Sequence, residues 1–299
     1  MQLIIENTLE QYEKLFSLSE EEREDYFRYS MMKPFEEMWA TIHVPLQAKQ
    51  ENGYDVKMAT SMLGYLDMTE TVKGKQALLL LKEIHALQTA RTTLSRCLEV
   101  SRAHQLTIKA DALTFGLYIA DPKKLELQKG YCGFGGIPGF IMITMNPTPY
   151  NIPKLPALIA HEFHHNLRFS YFDWDHGNVT VGDYLIIEGL AESFARELYG
   201  DELLGPWVTS FDAEELDYSI AVLKEALAVK GFAEVSSYMF GDSIATELGY
   251  QAVGLSSFAG YAVGYHVVQS FLKNNKVDIY EATLLPTNDI IQHCGLFSK

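Results

Sequence analysis

Leu158-Ile159-Ala160-His161-Glu162-Phe163-His164-His165-Asn166 is the stretch from which this chain can be read outward. It contains H-E-x-x-H, and Leu158, Ile159, Leu167 and Phe169 around it fit a mostly buried helix. Pro156 stands where a first helical turn tolerates proline. Residues four apart share one helix face, so His161 and His165 can aim both imidazoles at a single ion while Glu162 is rotated just beside them. One turn thereby offers two metal ligands and a carboxylate base. His164 lies inside the motif but off the ligand face, and a neighbouring carboxylate or water is its expected contact.

Three fixed positions can coincide by chance, so the reading turns on a third ligand. Structural zinc takes four protein ligands, whereas catalytic zinc takes three and leaves one position for water. The metzincin continuation needs Gly and His at set places after the motif, but Arg168 and Tyr171 stand there. Asp183-Tyr184-Leu185-Ile186-Ile187-Glu188-Gly189-Leu190-Ala191-Glu192-Ser193-Phe194-Ala195 reads instead as a second helix, capped by Asp183 and stopped near Gly200. Glu188 and Glu192 share a face of it. Two carboxylates four apart on an otherwise apolar helix repel one another unless something positive lies beside them, and a dication held by histidines would serve. Glu188 is the expected third ligand; Glu192 is expected to accept the remaining ring N–H of a ligand histidine. His176, in the loop Asp173-Trp174-Asp175-His176-Gly177, is the alternative as a third ligand or as a substrate contact.

The rest of the chain bounds this reading. With 299 residues and 47% hydrophobic composition it can bury one large core, or two smaller ones, without covalent staples. Its 24 basic and 39 acidic residues give a formal charge of -15, which repels nucleic-acid phosphates and anionic lipids, so neither nucleic acid nor membrane is an expected partner. Met1 to Asn7 shows no basic segment leading into an apolar one, and no stretch approaches the ~18 uninterrupted apolar residues of a membrane span. A cytoplasmic location is expected. Cys97, Cys132 and Cys294 lack CxxC spacing and read as free thiols rather than as a thiolate zinc site.

Along the chain, the first hundred residues look helical, with a long segment from Lys75 to about Leu106 marked by Leu78, Leu81, Ile84, His85 and Gln88. His85 on that stripe is expected to be a core residue. Short β-type runs follow, Leu113 to Ala120 and Gly139 to Met145, separated by Gly130, Gly133, Gly135, Gly136 and Gly139. The run from Gly139 to Met145 reads either as an edge strand able to pair with an extended peptide or as a buried core strand. Beyond Pro153 and Pro156 the pattern is largely helical through Phe271.

H-E-x-x-H followed by E-x-x-x-E on a later helix resembles the gluzincin pattern of zinc peptidases, although the 22 residues between His165 and Glu188 exceed the usual spacing there. The fuller string resembles the YjaZ-like predicted zinc-dependent proteases (domain of unknown function 2268). It comprises a glycine-rich strand region, Ile-Ala-His-Glu-Phe-His-His, Glu-Gly-Leu-Ala-Glu and a later Ala-Gly-Tyr-Ala-Val-Gly-Tyr. The likeness covers about Thr107 to Leu285. It implies an α+β, zincin-like fold with a small β-sheet beside the active-site helix and a mostly helical carboxy-terminal half. Residues 1–106 then form an amino-terminal helical region and residues 107–299 the metallopeptidase domain. It also implies Zn2+ on His161, His165 and Glu188, Glu162 as general base, and a peptide or protein substrate. Gluzincins place a Tyr or His downstream to donate to the oxyanion, which points to Tyr261 or Tyr265, with His266 as another candidate; an aromatic stripe at helical spacing fits a core equally well. The rival readings are a metal-binding or chaperone-like protein without turnover, and a non-haem iron enzyme, since two histidines and a carboxylate also describe a facial triad. Cleavage specificity and oligomeric state leave no mark in the sequence.

Overall fold

Four strands form one mixed sheet: β1 (Gln2–Ile5), β2 (Ala112–Ile119), β3 (Tyr131–Ile137) and β4 (Phe140–Met145), in the order β1-β2-β4-β3. β1, β2 and β4 run parallel, and β3 pairs antiparallel with β4. The computed structural model describes residues 1–50, 53–175 and 177–297. The expected β-runs are β2, which starts and ends one residue earlier, and β4, which starts one residue later. Gly139 falls outside β4 because, at φ +96, it forms the tight turn with Pro138 that joins β3 to β4. β4 is an interior strand, so the edges of the sheet are β1 and β3, and the edge-strand reading of Gly139 to Met145 is corrected. β1 lies in a region that reads as helical; it pairs Gln2 with Ala112 through Ile5 with Phe115, a partner too distant in sequence for local periodicity to report. The glycine cluster, expected as a separator, is largely strand β3. Close approach explains this: a Cβ on Gly135 would stand 2.8 Å from the backbone carbon of Glu162 and 2.9 Å from its Cα.

Among the described residues six α-helices precede β2: α1 (Thr8–Ser17), α2 (Glu20–Tyr26), α3 (Glu36–Thr41), α4 (Val56–Met62), α5 (Thr71–Glu83) and α6 (Ala86–Ala103). The single long helix expected from Lys75 is two. His85 sits between them at φ +52, exposed rather than in the core, and its carbonyl accepts from Gln88 and Thr89 to start α6. A left-handed residue closes one helix and re-aims the next, and the stripe therefore changes face at Ile84. Against the sheet, Tyr118 packs its ring 5.0 Å from Tyr65, 6.2 Å from Phe35 and 6.5 Å from Tyr12. Burial raises the phenols of Tyr12, Tyr65 and Tyr118 above the ordinary tyrosine range. This sheet and most of the preceding helices make up one compact unit, Met1–Glu99 with Ile108–Glu162.

The second unit is Val100–Thr107 with Phe163–Lys299. The chain passes from one unit to the other inside α6 and again inside α7 (Leu155–Arg168). Then follow α8 (Val181–Tyr199), α9 (Pro206–Thr209), α10 (Leu216–Ala226), α11 (Phe232–Phe240), α12 (Asp242–Glu247), α13 (Ala259–Asn275), α14 (Ile279–Ala282) and α15 (Thr287–His293). The N-cap of α8 is Thr180; Asp183, expected to cap it, is the third residue of the helix and closes a reciprocal capping box with Thr180, while Gly200 ends the helix at φ +84. α8 and α13 touch at their backbones. A Cβ on Gly189 would stand 2.5 Å from the carbonyl carbon of Gly264, and one on Gly264 3.1 Å from that of Leu185. Cys97, Cys132 and Cys294 are free thiols. Among the described residues no helix is long and apolar enough to cross a membrane.

Candidate metal centre

α7 is buried on every side from Ala157 to Arg168, which explains why Leu158, Ile159, Ala160, Phe163 and Leu167 leave it little polar surface. Four residues apart on this unbroken helix, His161 and His165 present imidazoles on one face. α8 brings Glu188 to them. One ligand atom from each of the three lies within 4.8 Å of the others, and all three residues are buried. His165 Nε2 and Glu188 Oε2 are 3.5 Å apart. Two donors each about 2.1 Å from one tetrahedrally coordinated ion lie roughly 3.4 Å from each other, so this spacing suits zinc, and three ligands leave a fourth position open. Burying a carboxylate beside two imidazoles is costly unless the set is compensated, and a dication provides the compensation.

Aromatic rings frame His165. Phe169 stacks on its imidazole at 5.8 Å with 7° between planes, Trp174 stacks on Phe169 at 5.0 Å, and Tyr184 meets Trp174 edge-on at 5.5 Å. The sequence reading singled out none of these three for the site. Only the folded loop shows them as one wall beside a ligand.

Glu162 is 5% exposed. Glu192, one turn after Glu188, is also buried; its Oε1 accepts from the Gly205 backbone N–H at 2.7 Å and its Oε2 from Trp207 Nε1 at 2.8 Å. Gly205 and Trp207 were not singled out by sequence reading, because nothing local marks residues that follow a helix end as partners of a carboxylate inside it.

The Nε2 of His164 lies 2.9 Å from the hydroxyl of Thr283. One turn on, Arg168 Nη1 donates to the carbonyls of Thr283 at 2.6 Å and Leu285 at 2.7 Å, with its guanidinium over the Phe172 ring. Burial pulls this guanidinium down to about 9, so it keeps its charge at neutral pH. The last two turns of α7 are thus tied to the segment that follows α14.

Tyr265 is buried; its hydroxyl donates to Asp201 at 3.4 Å, and desolvation pushes its phenol up to about 12. Tyr261 packs between Phe240 and Phe258 with ring centroids at 5.7 and 5.9 Å. His266 packs edge-on to Tyr265, and burial lowers its pKa. His176 lies outside the described residues.

A sequence profile of the family described as "Predicted Zn-dependent protease (DUF2268)" matches residues 86–292. The uncharacterized protein YjfC of Bacillus subtilis (strain 168) is 62% identical over 298 residues, covering 100% of both chains. The uncharacterized protein YjaZ of the same organism is 28% identical over 138 residues, 46% of this chain and 50% of that protein. No solved structure matches the chain.

Proposed function

Since the chain belongs to the family of predicted Zn-dependent proteases (DUF2268), we propose that it is a zinc-dependent peptidase of zincin-like architecture acting on peptide or protein substrates. The observation that carries this is the buried trio His161, His165 and Glu188, with its ligand atoms within 4.8 Å. These three side chains would hold zinc, which when bound lowers the pKa of a water molecule towards ~7 and polarises a carbonyl. Glu162, next to His161 on the same helix, takes the proton of the attacking water and delivers it to the leaving amine. Tyr265 or Tyr261 supplies a phenolic hydrogen bond to the developing oxyanion. Tyr265 would have to exchange its Asp201 partner to do so.

The antiparallel edge strand β3 carries the peptide-pairing role that the sequence suggested for Gly139 to Met145. It hydrogen-bonds to β4 on one side, and an extended substrate adds to the other. Glu192 braces the ligand helix below Glu188 through Gly205 and Trp207.

The test is elemental analysis of protein purified without added metal, combined with cleavage of casein by wild type and Glu162→Gln. About one zinc per chain is expected in both proteins, with turnover at least ~10²-fold lower in the variant. Iron in place of zinc, or an unimpaired Glu162→Gln enzyme, would overturn the reading.

A further inference from the structure

β3 has glycine at two positions on one face. Its pairing with β4 sets Tyr131 opposite Met145 and Gly133 opposite Ile143, with Cys132 opposite Thr144 and Phe134 opposite Met142. Alternation therefore directs Tyr131 and Gly133 to one side and Cys132 and Phe134 to the other. Gly135 follows on the side of Gly133, and the register slips between Phe134 and Ile137, a bulge of the kind that re-aims an edge strand beside a site.

What these glycines make room for is one residue. A Cβ added at Gly133 would stand 2.5 Å from Glu162 Oε1 and 2.6 Å from its Cδ, and closer still to its Cγ. A Cβ at Gly135 would meet the Glu162 backbone instead, 2.8 Å from its carbonyl carbon, with the carbonyl oxygen nearer. Carbon atoms are comfortable at about 3.5–4.0 Å, so neither position tolerates a side chain while Glu162 stays where it is. Neither glycine has a φ in the left-handed region, which leaves space as the reason for its presence. Glycine within a strand is destabilising relative to alanine, and β3 carries that cost twice opposite one glutamate.

We propose that Gly133 and Gly135 are positioning residues for the catalytic base. Gly133 forms the slot that fixes the direction of the Glu162 carboxylate, and Gly135 sets how closely the α7 backbone approaches β3. The geometry of the base is thus determined by an edge strand as well as by the H-E-x-x-H turn. This inference rests on the reading of Glu162 as the general base.

The experiment is a double-mutant cycle. Gly133→Ala is made in the wild type and in Glu162→Ala, and thermal unfolding, zinc content and casein cleavage are measured on the full chain. In the wild-type background the unfolding midpoint should fall and turnover drop at least ~10-fold, since misplacements of about 1 Å can cost 10²-fold, while zinc stoichiometry is kept. In the Glu162→Ala background the colliding atoms are gone and the midpoint should not fall; a Gly133→Ala chain that folds only in that background supports the proposal equally. Gly135→Ala meets backbone, so its midpoint should fall in both backgrounds. An equal loss of midpoint for Gly133→Ala in both backgrounds, or wild-type turnover by that variant, overturns the inference. Failure of the underlying reading is separable: it shows as full activity in Glu162→Gln, whereas the unfolding arm of the cycle needs no turnover.

Discussion

Replacing Thr283 with valine removes one hydroxyl at a fully buried position and leaves the shape of the side chain unchanged. That hydroxyl donates to the Ile279 carbonyl at 2.7 Å and lies 2.9 Å from His164 Nε2. A carbonyl only accepts, so the single hydroxyl proton belongs to Ile279, and the hydrogen between Thr283 and His164 must sit on Nε2. Valine strands that buried N–H at a cost of about 1–3 kcal/mol and forfeits a further ~1 kcal/mol from the bond to Ile279. The sum, roughly 2–4 kcal/mol, corresponds to a midpoint lowered by on the order of 5–10 °C in a chain of this size. Thr283→Ser keeps both hydrogen bonds and loses one methyl, so it should cost only about 1 kcal/mol. Thermal unfolding under saturating zinc measures both variants. His164 lies between His161 and His165, so competition with a chelator should also show weaker zinc binding for valine than for serine. A valine variant within about 0.5 kcal/mol of wild type, or a serine variant equally damaged, would refute the hydrogen-bond assignment and the idea that the segment after α14 braces the ligand turn.

Chelator should lower the unfolding midpoint reversibly; zinc at a thousand times its Kd contributes about 4 kcal/mol to stability, and a midpoint indifferent to both chelator and zinc would count against the centre. Glu188→Ala should weaken zinc binding more than Glu192→Ala, for which ~10 to 100-fold is expected; the opposite ranking in a competition assay exchanges the two roles. Between Tyr261→Phe and Tyr265→Phe, one should lose on the order of 10²–10³ in casein turnover with unchanged zinc content, and wild-type rates in both would return the pair to the core. Stability should also fall steeply in alkali. Burial keeps the Tyr12, Tyr65 and Tyr118 phenols protonated in the folded state above the pH of ~10 at which unfolded tyrosines ionise. Their contribution is therefore complete below ~10 and declines above it by roughly 1.4 kcal/mol per pH unit for each phenol. Urea unfolding at a series of pH values checks this, and Tyr118→Phe should shallow the slope.

What the amino-acid order determined by itself is local. Four-residue spacing puts His161 and His165 on one face whatever surrounds them, and the apolar period around Glu188, closed by Gly200, marks a helix without reference to any partner. The runs behind β2 and β4 are legible for the same reason, since pleat and side-chain type act between neighbours. Tertiary structure decided what period cannot carry. β1 is a strand because residues 112–115 offer it a parallel partner, and the glycines of β3 form a strand because a helix backbone needs their space. His85 looked like one more step of a stripe until the chain reversed its φ there. The same holds at the centre itself. Periodicity supplied two imidazoles and several candidate carboxylates, but bringing Glu188 within 4.8 Å of both histidines required the packing of α7 and α8. The assignment of Glu192 to Gly205 and Trp207, and of His164 to Thr283, likewise came from contacts between residues far apart in the chain. A helix pattern records which face is buried; which atom waits on the other side of that face is set by long-range packing.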